Sequence, residues 1–197
     1  MALSRIKKIM FVLGTRPEAI KLAPVINTIK SSGNLDVCVC LTSQHREMLL
    51  EVLEIFEIQP DLNLDLMRDN QTMSAITASI IKSLERVLID ESPDLVLVHG
   101  DTCTSFAAAL TAFHRKIDVG HIEAGLRTYD VDSPFPEELN RQLITKIAKW
   151  HFAPTETAKS NLLSEGVEEH RVLVTGNTVI DALVSIKTKL ASDDNRR

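Results

Sequence analysis

Apolar runs and amphipathic stripes alternate along this chain from residue 9 onward. "IMFVL" (9–13) and "VCVCL" (37–41) are unbroken apolar runs, the pattern of strands buried on both faces. Between and after them, apolar residues fall at helical spacing. Leu22, Val25, Ile26 and Ile29 mark a helix near 16–31, and Met48, Leu49, Val52, Leu53 and Phe56 mark a second. Ile76, Ile80, Ile81, Leu84, Val87 and Leu88 form one stripe of a helix near 73–90. Pro24 falls inside the first helix and is expected to kink it or to lie near its opening turns. The second half repeats the pattern. Strands are expected at "DLVLVHGD", "DVGHIEAG", "WHFAPT" and "RVLVTGN", with helices near 103–114, 137–149, 156–164 and 178–190. The tail "SDDNRR" is expected to fray. There is no internal repeat and no low-complexity linker. Such alternation predicts an α/β fold, a Rossmann-like doubly wound parallel sheet, with its binding crevice beyond the carboxyl ends of the strands.

The turns after those strands are rich in ionisable groups. After the first strand comes "GTRPE", where Thr15 and Glu18 have capping-box spacing and Pro17 suits a first helical turn. Arg16 is not needed by that turn, and a cation beside a helix N-terminus opposes the helix dipole. It makes sense if an anion binds there, held by the guanidinium and by free backbone N–H groups. A solvated surface arginine is the bland alternative. Lys21, one turn on, would strengthen the same field. The glycine spacing of a dinucleotide fingerprint is absent.

After "LVLV" comes "HGDTCTS", where either Asp101 or Thr102 could cap the next helix. After "VGHI", Glu123 stands at the edge of an apolar run, and a carboxylate buried there would need partners. "SPFPEELNRQ" opens a helix with Glu137 and Glu138, ordinary dipole partners, and Glu137 with Arg141 has the spacing of an i,i+4 ion pair. Taken together, the turns aim Asp101, Glu123 and Glu137, with Arg16 and Arg141, at one crevice. Paired carboxylates can serve as general base and general acid, while the arginines hold an anionic group. His99 and His121, within or at the ends of strands, read as hydrogen-bonded core histidines.

Composition narrows the partners. Among 197 residues the net charge is −5, and the 22 Lys and Arg are scattered among 27 acids, which argues against nucleic-acid binding. Cys38, Cys40 and Cys103 form no disulfide framework; the first two share a strand face and are expected to fill core. No metal-ligand spacing is evident. The basic residues ahead of the first apolar run resemble a signal peptide only superficially, and no stretch is long enough to cross a membrane. A reduced, soluble, cytoplasmic protein without membrane partners is expected.

"LGTRPE", "QHREML", "VHGDT", "GHIEAGLRT", "SPFPEELNR", "HFAPTE" and "TGNTVIDAL" resemble, in order and spacing, the non-hydrolysing bacterial UDP-N-acetylglucosamine 2-epimerases. The likeness runs from about residue 8 to 190. It implies the N-terminal domain of a two-domain GT-B fold, with residues 1–177 as the Rossmann-like domain and 178–197 as a terminal helix leading toward an absent C-terminal domain. That second half, in the family, supplies most uridine and diphosphate contacts and a catalytic histidine. This sequence would then be a fragment or a truncated product, inactive alone.

The implied reaction interconverts UDP-GlcNAc and UDP-ManNAc without a cofactor. The proton on the second sugar carbon has no adjacent carbonyl, so it leaves together with UDP, giving a 2-acetamidoglucal to which UDP re-adds. By this resemblance Asp101, Glu123 and Glu137 match catalytic carboxylates, Arg16 a diphosphate contact, and Arg141 a substrate-positioning arginine. Gln44 and His45 match a regulatory site at which some members bind a second UDP-GlcNAc. Glu47, and Asn70 before Gln71-Thr72, depart from that pattern and imply weak or absent activation. A homodimer is expected by resemblance alone. The alternatives are a hydrolysing epimerase releasing ManNAc and UDP, a glycosyltransferase of the same fold, and a non-catalytic domain that binds a UDP-sugar or dimerises.

Overall fold

The structure, a computed structural model, describes residues 6–42, 46–66, 68 and 70–194. Among the described residues seven strands alternate with seven α-helices: β1 Lys8–Leu13, α1 Arg16–Ser32, β2 Asp36–Leu41, α2 Arg46–Ile55, β3 Leu62–Asn63, α3 Met73–Glu91 and β4 Leu95–His99 in the first half. The second half runs α4 Cys103–His114, β5 Asp118–Ile122, α5 Glu137–Ile147, β6 Trp150–Ala153, α6 Glu156–Ser164, β7 Val172–Val174 and α7 Thr178–Asp194. The strands form one parallel sheet in the order β3-β2-β1-β4-β5-β6-β7. The chain winds outward from β1 to β3, then returns to β4 and winds the other way. The topological switch point therefore lies between β1 and β4, where a crevice must open because successive connections leave in opposite directions.

The unbroken apolar runs are explained by burial on two faces. Ile9, Phe11, Leu13, Val39, Leu41, Leu95, Leu97 and Ile122 pack with Leu22 and Ile26 of α1, Leu49 and Leu53 of α2, and Ala182 of α7. The alternate residues Met10, Val12, Cys38, Cys40, Val96, Val98 and Val119 pack with Leu84 and Leu88 of α3, Ala108, Ala109 and Ala112 of α4, and Ile144 of α5. Burial pushes the Cys38 and Cys40 thiols up to about 11 and about 12, so both behave as small core residues. Alanines on the buried side of α4 let its backbone lie close to the sheet.

Some elements depart from the sequence reading. β3 is only two residues long and pairs by Cys40↔Leu62 and Leu41↔Asn63, too short for any periodicity to reveal. α1 continues through Pro24, its ninth residue, rather than placing it in the opening turns. α5 ends at Ile147, two residues before the expected limit. α7 lies against α1, and Lys189 donates to the Ile55 carbonyl at 2.9 Å and to Glu57 at 2.6 Å. Among the described residues no helix is long and apolar enough to cross a membrane.

Candidate functional site

The β1–α1 turn is built around Glu18, which is only 1% exposed. Its Oε2 accepts from the Gly14 N–H at 2.9 Å, the Thr15 N–H at 2.7 Å and the Thr15 hydroxyl at 2.8 Å. Its Oε1 accepts from the Thr102 hydroxyl at 2.7 Å and lies 3.0 Å from the Ser105 hydroxyl, whose single proton is directed at the nearer His99 carbonyl, 2.5 Å away. The predicted capping glutamate thus also ties the β1–α1 turn to the β4–α4 turn across the switch point. A Cβ on Gly14 would overlap the Thr42 and Thr104 hydroxyls, so only glycine lets these turns meet. Glu18 also occupies backbone N–H groups that the sequence reading left free for an anion. Arg16, the first residue of α1, is exposed and has no ion-pair partner among the described residues.

Thr102, not Asp101, caps α4: its hydroxyl accepts from the Ser105 N–H at 3.1 Å. Asp101 is therefore released from capping. Its carbonyl accepts from the Asn140 side chain at 2.8 Å, and its Oδ2 lies 3.3 Å from Arg141. The expected i,i+4 ion pair between Glu137 and Arg141 is not what forms. Arg141 reaches instead to Asp101 and, at 3.3 Å, to Glu138, while its contact with Glu137 is to the backbone carbonyl. The reason is burial: α5 turns Arg141 inward, where a fully buried carboxylate one turn back and Asp101 of the neighbouring turn are nearer than the half-buried Glu137. Glu138 also accepts from the Thr128 and Tyr129 N–H groups and from Gln142. Burial opposes its ionisation, but these donors and Arg141 outweigh it and hold its carboxyl below the usual range. Asp101 shifts the other way. Burial raises its pKa; Arg141 opposes, and the nearby charges of Glu123 and Glu137 push it further up.

Glu123 follows β5 with φ +65°, a left-handed conformation that costs a non-glycine residue about 1–2 kcal/mol and is held by its surroundings. Its Oε1 accepts from Lys21 at 2.5 Å and from Asn177, in the turn before α7, at 3.3 Å. His99 lies nearby, with Nε2 3.7 Å from Glu123 Oε2. Burial, helped by the charge of Lys21, pushes the His99 imidazole down to about 3, so this approach is not an ion pair at neutral pH. His121 is pushed by burial to about 3 as well, and its Nε2 lies 2.7 Å from the Gly100 carbonyl. A carbonyl only accepts, so the neutral His121 ring carries its proton on Nε2.

Asp101, Glu123 and Lys21 line one open crevice of about 380 Å³ with Thr15, Glu18, His99 and Thr102. Arg141 joins it through Asp101 and Glu137 stands within electrostatic reach of Asp101, whereas Arg16 does not line the crevice, although its chain neighbours Thr15 and Pro17 do. Lys21, expected to add to an anion-binding field, is paired with Glu123. Gln44 and His45 lie outside the described residues. The sequence reading missed four participants: Glu18, Glu138, His99 and Asn177. The first two were absorbed by local rules for caps and dipoles. For His99, the available signal was its place at a strand's carboxyl end. Among the described residues no cluster of His, Cys, Asp and Glu could hold a metal ion.

Comparison with known proteins places this arrangement. The profile of the UDP-N-acetylglucosamine 2-epimerase family matches residues 27–197. The UDP-N-acetylglucosamine 2-epimerase of Neisseria meningitidis serogroup A is 57% identical over 183 residues, 93% of this chain and 49% of that protein. The crystal structure of the Neisseria meningitidis UDP-GlcNAc 2-epimerase bound to UDP-GlcNAc superposes with a TM-score of 0.90 at 55% identity, covering 96% of this chain and 52% of that one. The GT-B protein MurG of Acinetobacter baumannii, at 16% identity and a TM-score of 0.58 over 87% of this chain and 45% of that one, shares the fold alone. The chain spans about half the length of the curated relatives it matches. With its sheet, its crevice and these matches taken together, the chain belongs to the UDP-N-acetylglucosamine 2-epimerase family.

Proposed function

We propose that this chain carries the carboxylate-bearing half of a non-hydrolysing UDP-GlcNAc 2-epimerase, which interconverts UDP-GlcNAc and UDP-ManNAc. The observation that carries the reading is the meeting of Asp101 and Glu123, from separate turns, in one crevice at the switch point. The UDP-GlcNAc bound in the Neisseria relative supports a nucleotide-sugar as the occupant. A carboxylate takes the proton from the second sugar carbon as the C1–O bond to UDP breaks, and that electron pair leaves with the diphosphate. The resulting 2-acetamidoglucal is then protonated at the second carbon on the opposite face while UDP oxygen re-adds at C1. Asp101, whose burial favours the protonated form, suits the donor; Glu123, held by Lys21 and Asn177 through one oxygen, suits the acceptor. Glu137 adds negative charge beside Asp101, Arg141 orients Asp101, and Arg16 meets the diphosphate.

The chain spans about half the length of its relatives, and on this reading the 197 residues are incomplete for activity alone, the rest of such a protein supplying further diphosphate contacts. The test is turnover in heavy water by an enzyme of the relatives' full length carrying this chain, followed by proton NMR. Deuterium at the second sugar carbon of UDP-ManNAc is expected; epimerised product without it overturns the proposal. Chromatography of the same reaction separates UDP-ManNAc from the free ManNAc and UDP of a hydrolysing enzyme.

A further inference from the structure

His99 ends β4 opposite Ile122, the last residue of β5, so the register brings Gly100 and Glu123 side by side. Its backbone is pinned on both sides. Its carbonyl accepts from the Ser105 hydroxyl at 2.5 Å, and the following Gly100 N–H donates to the Ile122 carbonyl at 2.9 Å. The side chain is held at 3% exposure while lining the crevice. Its Nε2 is buried and has no hydrogen-bond partner among the described residues. Nearby, Glu123 Oε2 receives no hydrogen bond from the described residues, since Lys21 and Asn177 both donate to Oε1. A buried polar nitrogen without a partner forfeits its hydration with nothing in return, so such a group in a native fold calls for a reason.

We propose that His99 is a positioning residue for Glu123: its Nε2–H donates to Glu123 Oε2 when the crevice closes on the sugar, and so fixes the carboxylate plane. The inference rests on the reading of Glu123 as the carboxylate that moves a proton. The 3.7 Å separation must shorten by less than an ångström to reach hydrogen-bond length. With Oε1 held by Lys21 and Asn177 and one lone pair of Oε2 held by His99, the remaining lone pair of Oε2 points at one place in the crevice. A neutral donor orients the carboxylate without the second full charge that would weaken it as a base.

Three variants test this in an enzyme of full length carrying the chain. His99→Leu is expected to lower kcat roughly tenfold to a hundredfold, the worth of one hydrogen bond to a charged group. KM should stay within about twofold, since the bond matters to the reaction rather than to binding. Its melting temperature should be unchanged or higher, because an unpartnered polar group is replaced by an apolar one. His99→Gln, whose amide presents an N–H near the place of Nε2, should recover most of kcat, whereas the shorter amide of His99→Asn should not. A leucine variant at the wild-type rate, or glutamine and asparagine variants of equal rate, overturns the inference, and the second comparison holds even if the leucine variant does not fold. Deuterium uptake by the wild type tells the two failures apart. If it is absent the epimerase reading falls, and if it is present with all His99 variants equal only the positioning role falls.

Discussion

Arg141 stands between two neighbourhoods that use the same side chain in opposite ways. On its inner side Glu138 is fully buried and saturated, with two backbone N–H groups, Gln142 and the guanidinium around it, and its acidity is strengthened. On its outer side Asp101 is bound through a single oxygen, faces Glu123 and Glu137, and its acidity is weakened. By hydrogen bonding alone, Glu18 is grouped with Glu138, and Glu123, whose Oε2 receives no hydrogen bond from the described residues, with Asp101. A carboxylate with every lone pair answered is scaffold, because any change of protonation breaks several bonds at once. One with an oxygen left open toward a crevice can exchange protons at little structural cost.

The sharpest test of this division is Glu123→Gln. In the proposed reaction, run by an enzyme of the relatives' full length carrying this chain, it is expected to reduce deuterium exchange at the second sugar carbon by about 10³-fold. The circular dichroism melt should stay near the wild type; a large loss of stability instead would put Glu123 with the scaffold. Glu18→Ala should do the reverse. Removing the acceptor for Gly14, Thr15 and Thr102 leaves several donors unanswered and should cost about 3 kcal/mol, a fall of roughly 10 °C in Tm.

Glu138→Gln should cost about 2 kcal/mol near neutral pH. Glu138 is more acidic in the folded state, so its ionised form adds stability that is present above 4.5 and is lost as pH falls through its depressed folded value. The gap between wild type and Glu138→Gln should therefore close in acid. Asp101→Asn should show the opposite sign and the smallest effect. The folded state favours protonated Asp101, so its stabilising contribution is complete below 3.8 and disappears as pH rises through the raised value. The asparagine variant should then be more stable than wild type at neutral pH, by under about 1 kcal/mol, with the two melts converging in acid. Equal and same-signed pH dependence for both pairs would dissolve the contrast.

Much of this was legible in the residues. The apolar runs at 9–13 and 37–41 and the stripe ending at Leu88 specify strands and helices because burial on two faces leaves a periodic record. Parallel winding then requires the turns at Gly14, Gly100 and Glu123 to share one end of the sheet, so Asp101 and Glu123 could be named as neighbours. The short strand at Leu62–Asn63 was hidden because two residues carry no period.

What the chain alone determined was therefore the alternation, the end of the sheet at which the ionisable turns meet, and the kinds of groups gathered there. Which group partners which was decided only by the folded molecule. Local rules offered Glu18 a cap and Glu138 a dipole, and each gained further partners besides, whereas the ion pair they offered Arg141 with Glu137 gave way to Asp101 and Glu138 once distant turns were brought together. Hydrogen bonds and ion pairs depend on separations of a few ångströms between residues as far apart in sequence as Lys21 and Glu123. Periodicity fixes which face a side chain takes, whereas tertiary packing sets that distance.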